Sequence, residues 1–280
     1  MTPLRVGFVG LGSQGGPMAR RIVDAGFPLT LWARRPASLE PFADTRAAVA
    51  TTLPDLGRAC DLLCVCVVND DDVADVLRGP EGALTGMAPG GIVVIHSTVH
   101  PRTVLQLQAD FPHLRVVDAP VSGGGQRAEC RDLLVMVGGD EAIVDCCRPV
   151  FDTYAGAMVH LGPLGAGQQG KLLNNALFTA QIGLVADVYD IARRHCLDAA
   201  GLTTVLADGS GRSYAVEVLG SGGERIETMA QHAAPLLAKD VGILSELLGR
   251  DSSGVLAAAD DALARLGFGR TASVVGREQV

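Results

Sequence analysis

The stretch Arg5–Gly15, RVGFVGLGSQG, decides how this chain begins to fold. Its β-branched and apolar residues are typical of a short strand, and they run into a glycine-rich turn. Pro17 and the apolar residues after it predict a helix, because proline suits the first helical turn. A strand, a G-x-G-x-x-G turn and a helix in this order predict a dinucleotide site, where glycines let a pyrophosphate approach the helix N-terminus. The predicted contacts are Gly10, Leu11, Gly12, Ser13, Gln14 and Gly15.

The second predicted strand, residues 29–32, ends at Arg34 and Arg35. An NAD site usually carries an acidic residue here for the ribose 2′-hydroxyl, and this chain has none. Guanidinium groups suit a 2′-phosphate, so the sequence predicts NADP as cofactor, with NAD as the second choice. The alternative is a solvated loop with two surface arginines.

Strand and helix patterns then alternate along the first half of the chain. Apolar strand patterns lie at residues 61–68, 91–95, 115–118, 133–137 and 157–160. The acidic run after Asn69 is interpreted as the start of a helix rather than as a metal site. This alternation predicts an α/β Rossmann-type fold with a doubly wound, mostly parallel sheet.

After Gly162 and Pro163 the pattern becomes helical. No Gly–Pro pair interrupts residues 171–194, so one long interdomain helix is predicted there. We therefore expect a dinucleotide-binding domain at 1–162 and an all-α C-terminal domain at 163–280.

Lys171 follows a run of glycines and opens this long helix. It stands one turn before Asn175, so both side chains project from one helix face. Of the 23 Lys and Arg residues only two are lysines, Lys171 and Lys239. Lysine, unlike arginine, can lose its proton in a suitable environment, so a proton-transfer role is predicted for Lys171.

Composition excludes several classes of protein. A net charge of −8 with scattered arginines argues against nucleic-acid binding. The seven cysteines show no metal-ligand spacing, so the sequence predicts no metal site. The cysteine pattern is typical of a reducing compartment. Since the sequence also shows no leader pattern and no membrane-span pattern, a cytoplasmic protein is predicted.

Taken together, four motifs resemble those of the β-hydroxyacid dehydrogenase family, which is typified by 3-hydroxyisobutyrate dehydrogenase. They are the loop at 7–12, the DAPVSGG stretch at 118–124, the stretch at 167–175 and the pair at 239–240. The resemblance covers essentially the whole chain. It implies hydride transfer between a nicotinamide cofactor and a small β-hydroxyacid or semialdehyde.

The resemblance also implies a role for each matching residue. Lys171 would be the general acid/base, and Asn175 would orient the substrate oxygens. Ser122 and the backbone N–H groups of Gly123 and Gly124 would hold the substrate carboxylate. The further cofactor contacts would be Thr98 at the nicotinamide ribose, Val67 and Val68 along the cofactor, and Lys239 near the nicotinamide.

Several positions depart from the family pattern. Gln14 stands where the family usually has Met, and it places an extra polar group in the cofactor loop. Arg127 and Arg131 replace glycines after the substrate turn, where they either add positive charge beside the pocket or lie on the surface. His232 stands where an aromatic residue is common, so the substrate is not transferable from the family.

Two other functions are weighed against the dehydrogenase. An imine reductase shares the fold but generally lacks lysine at the position of Lys171. A non-catalytic NADP-binding module would not need Lys171, Asn175 and Ser122 together. The family further implies a homodimer or homotetramer built through the helical domain.

Overall fold

The computed structural model describes residues 4–220, 233–249 and 253–270. Internal contacts divide the chain into two compact units, with the division between Lys171 and Leu172. The domain bounds 1–162 and 163–280 stay a prediction.

Nine strands form one sheet in the first unit. They are β1 (Val6–Val9), β2 (Leu29–Trp32), β3 (Ala48–Val49), β4 (Leu62–Val65), β5 (Ile92–Ile95), β6 (Arg115–Asp118), β7 (Val121–Ser122), β8 (Leu133–Gly138) and β9 (Ala155–Gly162). The spatial order is β3-β2-β1-β4-β5-β6-β8-β7, and β9 pairs with β8. The strands from β3 to β6 are parallel, whereas β8 runs antiparallel to β6 and β7. The predicted mostly parallel Rossmann-type sheet is confirmed.

Both faces of the sheet are buried along β1, β4 and β5, which explains the continuous apolar sequence of these three strands. Successive residues of a strand point to opposite faces, and here they enter two different cores. Phe8 and Cys64 pack on one side with the helix Gly15–Asp24, whereas Val9 and Val65 pack on the other. A doubly wound sheet needs this two-sided burial.

Six helices accompany these strands. They are α1 (Gly15–Asp24), α2 (Leu53–Ala59), α3 (Asp70–Leu77), α4 (Pro101–Asp110), α5 (Gly124–Glu129) and α6 (Glu141–Phe151). Two 3₁₀ helices, at Pro36–Phe42 and Ala83–Thr85, complete the connections. Asn69 Oδ1 accepts a hydrogen bond from Asp72 N at 2.8 Å and caps α3, so the acidic run is a helix start as predicted.

The second unit is helical in its described part. It contains most of α7 (Ala166–Arg194), followed by α8 (Ala199–Asp208), α9 (Tyr214–Leu219), α10 (Ala234–Leu248) and α11 (Gly254–Arg265). The predicted long helix is α7, with 29 residues. Gly183 lets α7 approach α11 closely, because a Cβ at this position would lie 2.8 Å from the Cβ of Ala262.

None of the helices in the described ranges is long and apolar enough to cross a membrane. All seven cysteines are free thiols. Burial raises the pKa values of Cys60, Cys66 and Cys147 to about 12, so these thiols stay protonated and pack as small apolar groups.

Candidate active site

A cavity of about 350 Å³ lies at the carboxyl ends of β1, β2 and β4. Parallel strands of this fold bind nucleotides at that edge of the sheet. Seven predicted cofactor residues line it: Gly10, Leu11, Gly12, Arg34, Arg35, Val67 and Val68. Trp32, Ser38 and Asp72 line it as well.

Positions 10 and 12 of the loop are glycine for different structural reasons. Gly10 has a φ of +96°, and a Cβ there would lie 2.1 Å from the carbonyl oxygen of Cys66. The fold therefore requires glycine at position 10. A Cβ at Gly12 would meet no atom within 4 Å, so packing does not require this glycine. A bare backbone beside an open cavity fits a loop that receives a pyrophosphate.

Positive charge lies at the end of β2. Arg34 and Arg35 are exposed, and Arg34 Nη1 lies 3.9 Å from Asp72 Oδ1. Ser38 faces the same cavity from the 3₁₀ helix, and its hydroxyl can accompany the two guanidinium groups around a phosphate.

The other predicted cofactor contacts lie elsewhere. The lining of this cavity does not include Ser13, Gln14, Gly15 or Thr98. Thr98 follows Ser97, whose Oγ accepts a hydrogen bond from Val67 N at 2.8 Å. The loop after β5 is thereby attached to the loop after β4.

The predicted substrate turn leads from β7 into α5. Gly123 and Gly124 have φ values of +133° and +75°, a region that disfavours other residues. The next residue, Gly125, packs against the cofactor loop, because a Cβ there would lie 2.3 Å from Ser13 O. The substrate turn and the cofactor loop are therefore neighbours within the first unit.

Arg127 and Arg131 differ in their surroundings. The Arg127 side chain packs over Gly123, and its Nε donates to Asp132 Oδ2 at 2.9 Å in an exposed ion pair. Arg131 is exposed at the end of α5, with a φ of +57°. Both arginine side chains are therefore exposed at the surface, which was the second of the two alternatives for these positions.

Asp118 fixes the beginning of α7. Its carboxylate is fully buried and accepts hydrogen bonds from Gly165 N at 2.6 Å and Gln168 N at 2.7 Å. Burial raises the pKa of Asp118, and the two backbone N–H groups oppose this rise. Through these bonds the end of β6 holds the turn of helix that precedes Lys171.

Gln168 attaches the same helical turn to the loop after β5. Its Nε2 donates to Ser97 O at 2.9 Å, and its Oε1 accepts from Val99 N at 3.0 Å. These two bonds flank Thr98 on both sides. The start of α7 is therefore fixed to the carboxyl ends of two strands.

A second polar cluster lies in the helical unit, around Asn175. Its Nδ2 donates to Asp240 Oδ2 at 2.6 Å, and both side chains are buried. The other carboxylate oxygen, Oδ1, lies 2.9 Å from Lys239 Nζ, and the two groups form an ion pair. Asp240 therefore joins Asn175 to one of the two lysines of the chain.

Sequence reasoning missed the residues that hold this framework. Asp118, Gln168 and Asp240 lie within the motifs that resemble the family, but no function was predicted for them. No function was predicted for Ser38 either. A carboxylate at the end of a buried strand is a signal that could have identified Asp118. His232 lies outside the described residues. Within those residues no group of three or more His, Cys, Asp or Glu side chains is arranged to hold a metal ion.

Comparison with known proteins identifies the family. Residues 5–162 match the model described as the NAD binding domain of 6-phosphogluconate dehydrogenase. Residues 165–263 match the one described as NAD-binding of NADP-dependent 3-hydroxyisobutyrate dehydrogenase. The chain belongs to the β-hydroxyacid dehydrogenase family.

The similar proteins agree with this family. An uncharacterized oxidoreductase of Shewanella frigidimarina is 32% identical, covering 91% of this chain and 89% of its own length. The 2-(hydroxymethyl)glutarate dehydrogenase of Eubacterium barkeri is 30% identical over 76% of this chain and 72% of its own. The solved structure of Mycobacterium tuberculosis 3-hydroxyisobutyrate dehydrogenase with L-serine has a TM-score of 0.81 and 26% identity, and it covers 95% of this chain and 94% of its own. This β-hydroxyacid dehydrogenase family member is thus an NAD(P)-dependent oxidoreductase.

Proposed function

We propose that this enzyme transfers hydride between NADP and a small β-hydroxyacid or its semialdehyde, with Lys171 as general acid/base. The observation that carries the proposal is the placement of the two lysines. Lys171 stands one turn before Asn175 on α7, and Lys239 is joined to Asn175 through Asp240. A chain that otherwise uses arginine keeps lysine at these two positions.

The chemistry requires one proton transfer and one hydride transfer. The bound nicotinamide accepts or supplies the hydride at the reacting carbon. In the oxidative direction the neutral Lys171 amine takes the hydroxyl proton as the C–O bond becomes a carbonyl. In the reductive direction the Lys171 ammonium returns that proton to the carbonyl oxygen.

The other residues bind and orient. Asn175 is assigned to the reacting oxygen, and its amide is held by Asp240. Ser122 and the backbone N–H groups of Gly123 and Gly124 are assigned to the substrate carboxylate, because positive φ values expose successive N–H groups to an anion. Thr98 and Lys239 are assigned to the nicotinamide end, and Gly10–Gly15 to the pyrophosphate.

The preference for NADP is assigned to Arg34, Arg35 and Ser38. The two guanidinium groups and the serine hydroxyl face the cavity at the end of β2, where a ribose 2′-phosphate is expected. Asp72 and Asp75 line the same cavity, and the pairing of Asp72 with Arg34 leaves Arg35 for the phosphate.

The test is a panel of substrates measured by NADPH and NADH oxidation. The panel holds methylmalonate, succinic and tartronate semialdehydes, glyoxylate and a cyclic imine. Wild type is compared with Lys171→Ala and with Lys171→Arg, which keeps the charge but cannot readily exchange a proton. We expect one semialdehyde to be reduced with NADPH, and kcat to fall roughly 10²- to 10⁴-fold in both variants.

Cofactor binding supplies the control for these variants. Trp32 is the single tryptophan and lines the nucleotide cavity, so its fluorescence reports NADPH binding. The Kd of NADPH should be unchanged in Lys171→Arg. Reduction of the imine alone would instead establish an imine reductase. Tight NADPH binding without turnover of any compound in the panel would overturn the small-hydroxyacid substrate and point to a larger substrate or to a non-catalytic module.

A homodimer or homotetramer is part of the same proposal. Leu173, Leu177 and Leu184 are each at least half exposed along α7, and this spacing places them on one face of the helix. An apolar helix face of this kind supports association through α7.

A further inference from the structure

Part of the nucleotide cavity is lined by apolar side chains that the phosphates of a cofactor do not need. These residues are Leu53 at the start of α2, Val67 and Val68 after β4, and Val76 on α3. Val68 is 59% exposed although it is a large apolar residue. An apolar side chain exposed within a cavity fits a ligand that covers it with an apolar face. In a nicotinamide dinucleotide the adenine has such a face, and it belongs to the same half of the cofactor as the ribose 2′-phosphate.

Helix α3 brings two carboxylates to the same cavity. Asp72 and Asp75 line it together with Val76, and residues at this spacing share one face of a helix. Asp72 Oδ1 lies 3.9 Å from Arg34 Nη1. Asp75 is exposed, and within the part of the chain that the structure describes it forms no hydrogen bond and no ion pair. The carboxylate of Asp75 is therefore an acceptor that is available to a ligand beside the apolar lining.

We propose that Asp75 recognises the adenine of the cofactor by accepting a hydrogen bond from its 6-amino group. Adenine carries this amino group at its edge, where hypoxanthine carries a carbonyl oxygen. An ionised carboxylate only accepts hydrogen bonds, so it pairs with the amino group and repels the carbonyl. The inference rests on the part of the proposed function that assigns a nicotinamide dinucleotide to this cavity. It does not depend on the substrate or on the choice between NADP and NAD, since both cofactors carry adenine.

The negative charge of Asp75 distinguishes this role from a general contribution to nucleotide affinity. A carboxylate repels the phosphates of the cofactor, so its presence in the cavity does not strengthen the binding of every nucleotide. Its effect is selectivity, because a site with only an acceptor favours the base that has the matching donor and disfavours the base that lacks it. The enzyme should therefore bind adenine dinucleotides more tightly than hypoxanthine dinucleotides.

NADPH and reduced nicotinamide hypoxanthine dinucleotide phosphate test this preference, because they differ only in the base. The Kd of each nucleotide is measured by calorimetric titration on wild type and on Asp75→Asn. Wild type should bind NADPH roughly 10-fold more tightly than the hypoxanthine analogue. In Asp75→Asn the two Kd values should agree within about 2-fold, since an asparagine amide can accept from the amino group or donate to the carbonyl. The lost charge acts on the phosphates of both nucleotides alike and cancels in the ratio.

Asp71→Asn is the matched control. Asp71 is exposed on the same helix and does not line the cavity, so its replacement removes the same charge but should keep the wild-type ratio of Kd values. Circular dichroism shows that both variants are folded. A ratio in Asp75→Asn equal to that of wild type overturns the role of Asp75, and so does a wild type that binds both nucleotides equally well.

Activity measurements separate this proposal from the proposed function. Turnover of a semialdehyde by a wild type that binds both nucleotides equally well overturns the role of Asp75 alone. An adenine preference that Asp75→Asn removes, in a protein that turns over no compound of the panel, supports the role of Asp75 and contradicts the small-hydroxyacid reaction. Failure of NADPH, NADH and the hypoxanthine analogue to bind overturns both.

Discussion

The imidazole of His96 lies in the core immediately before the Ser97–Thr98 loop. Its Nδ1 is 2.7 Å from Ala119 O, and its Nε2 is 3.2 Å from the hydroxyl of Tyr154. A neutral imidazole satisfies both contacts by donating to the carbonyl and accepting from the hydroxyl. Burial lowers the pKa of His96 to about 4, against an ordinary value of 6.5.

This pKa shift predicts a pH-dependent stability. Between pH 6.5 and about 4 the unfolded chain binds a proton at His96 that the folded chain does not. The stability is therefore present above pH 6.5 and is lost as the pH falls through this window. The loss due to His96 should be about 2 kcal/mol between pH 7 and pH 5.

Urea unfolding followed by Trp32 fluorescence measures this effect in the first unit, because Trp32 belongs to β2. His96→Gln lowers stability at both pH values, yet its difference between pH 7 and pH 5 should be about 2 kcal/mol smaller than that of wild type. An identical pH dependence in the two proteins would contradict the assignment.

At the scale of elements, the decisive contact joins the end of β6 to the start of α7. Asp118→Asn keeps one carbonyl oxygen but turns an NH₂ group toward the N–H of Gly165 or Gln168. We expect a loss of about 2 kcal/mol in the free energy of unfolding, since one charge-assisted hydrogen bond becomes a clash between donors.

The same substitution should lower kcat and leave the affinity for NADPH unchanged. The helical turn that carries Lys171 loses an anchor, whereas no residue of the nucleotide cavity is changed. A drop in kcat of roughly 10-fold or more with an unchanged Kd for NADPH is expected. Asp140→Asn is the matched control, because Asp140 caps α6 from an exposed position and asparagine caps equally well.

The end of α5 is a second element with a specific consequence. Asp132 N bonds to Arg127 O and Arg131 N bonds to Ala128 O, which is the Schellman pattern. The residue in the left-handed position is Arg131, where glycine is the favoured residue. Cys196 occupies the equivalent position after α7, with a φ of +55°.

Arg131→Gly should therefore stabilise the first unit by about 1 kcal/mol, because glycine adopts this conformation without a steric cost. Arg194→Gly is a control in which the stability should change in the opposite direction. Arg194 is the last residue of α7, where glycine should destabilise by up to about 1 kcal/mol. A lower melting temperature for Arg131→Gly would show that the arginine makes a compensating contact.

At the scale of the molecule, the fold was predictable because its signals are local. Glycines, apolar strands and helix starts recur in a fixed order, and each strand of four or more residues was placed from its own sequence. The two-residue strands β3 and β7 were missed, because so short a segment has no periodicity. The antiparallel direction of β8 was also not predicted, since direction depends on partners distant in the chain.

The candidate site was predictable only where residue type limits the chemistry. Lys171 and the glycine loop were identified because few other residues could serve the predicted roles. Asp118 and Gln168 were not, because their function arises from hydrogen bonds to backbone atoms about 50 and 70 residues away. Such contacts leave no pattern within a single stretch of sequence.

The anchored start of α7 also determines where a recombination event could divide this chain without separating residues that bond to each other. The two family models meet between residues 162 and 165, which is the natural place to draw a module boundary. A recombination event there would separate Asp118 from Gly165 and Gln168 and give its carboxylate an unrelated helix. A crossover after Lys171 would instead keep the carboxylate, its two backbone donors and the lysine in one segment. The segment that must stay together therefore ends inside helix α7 rather than in the loop before it.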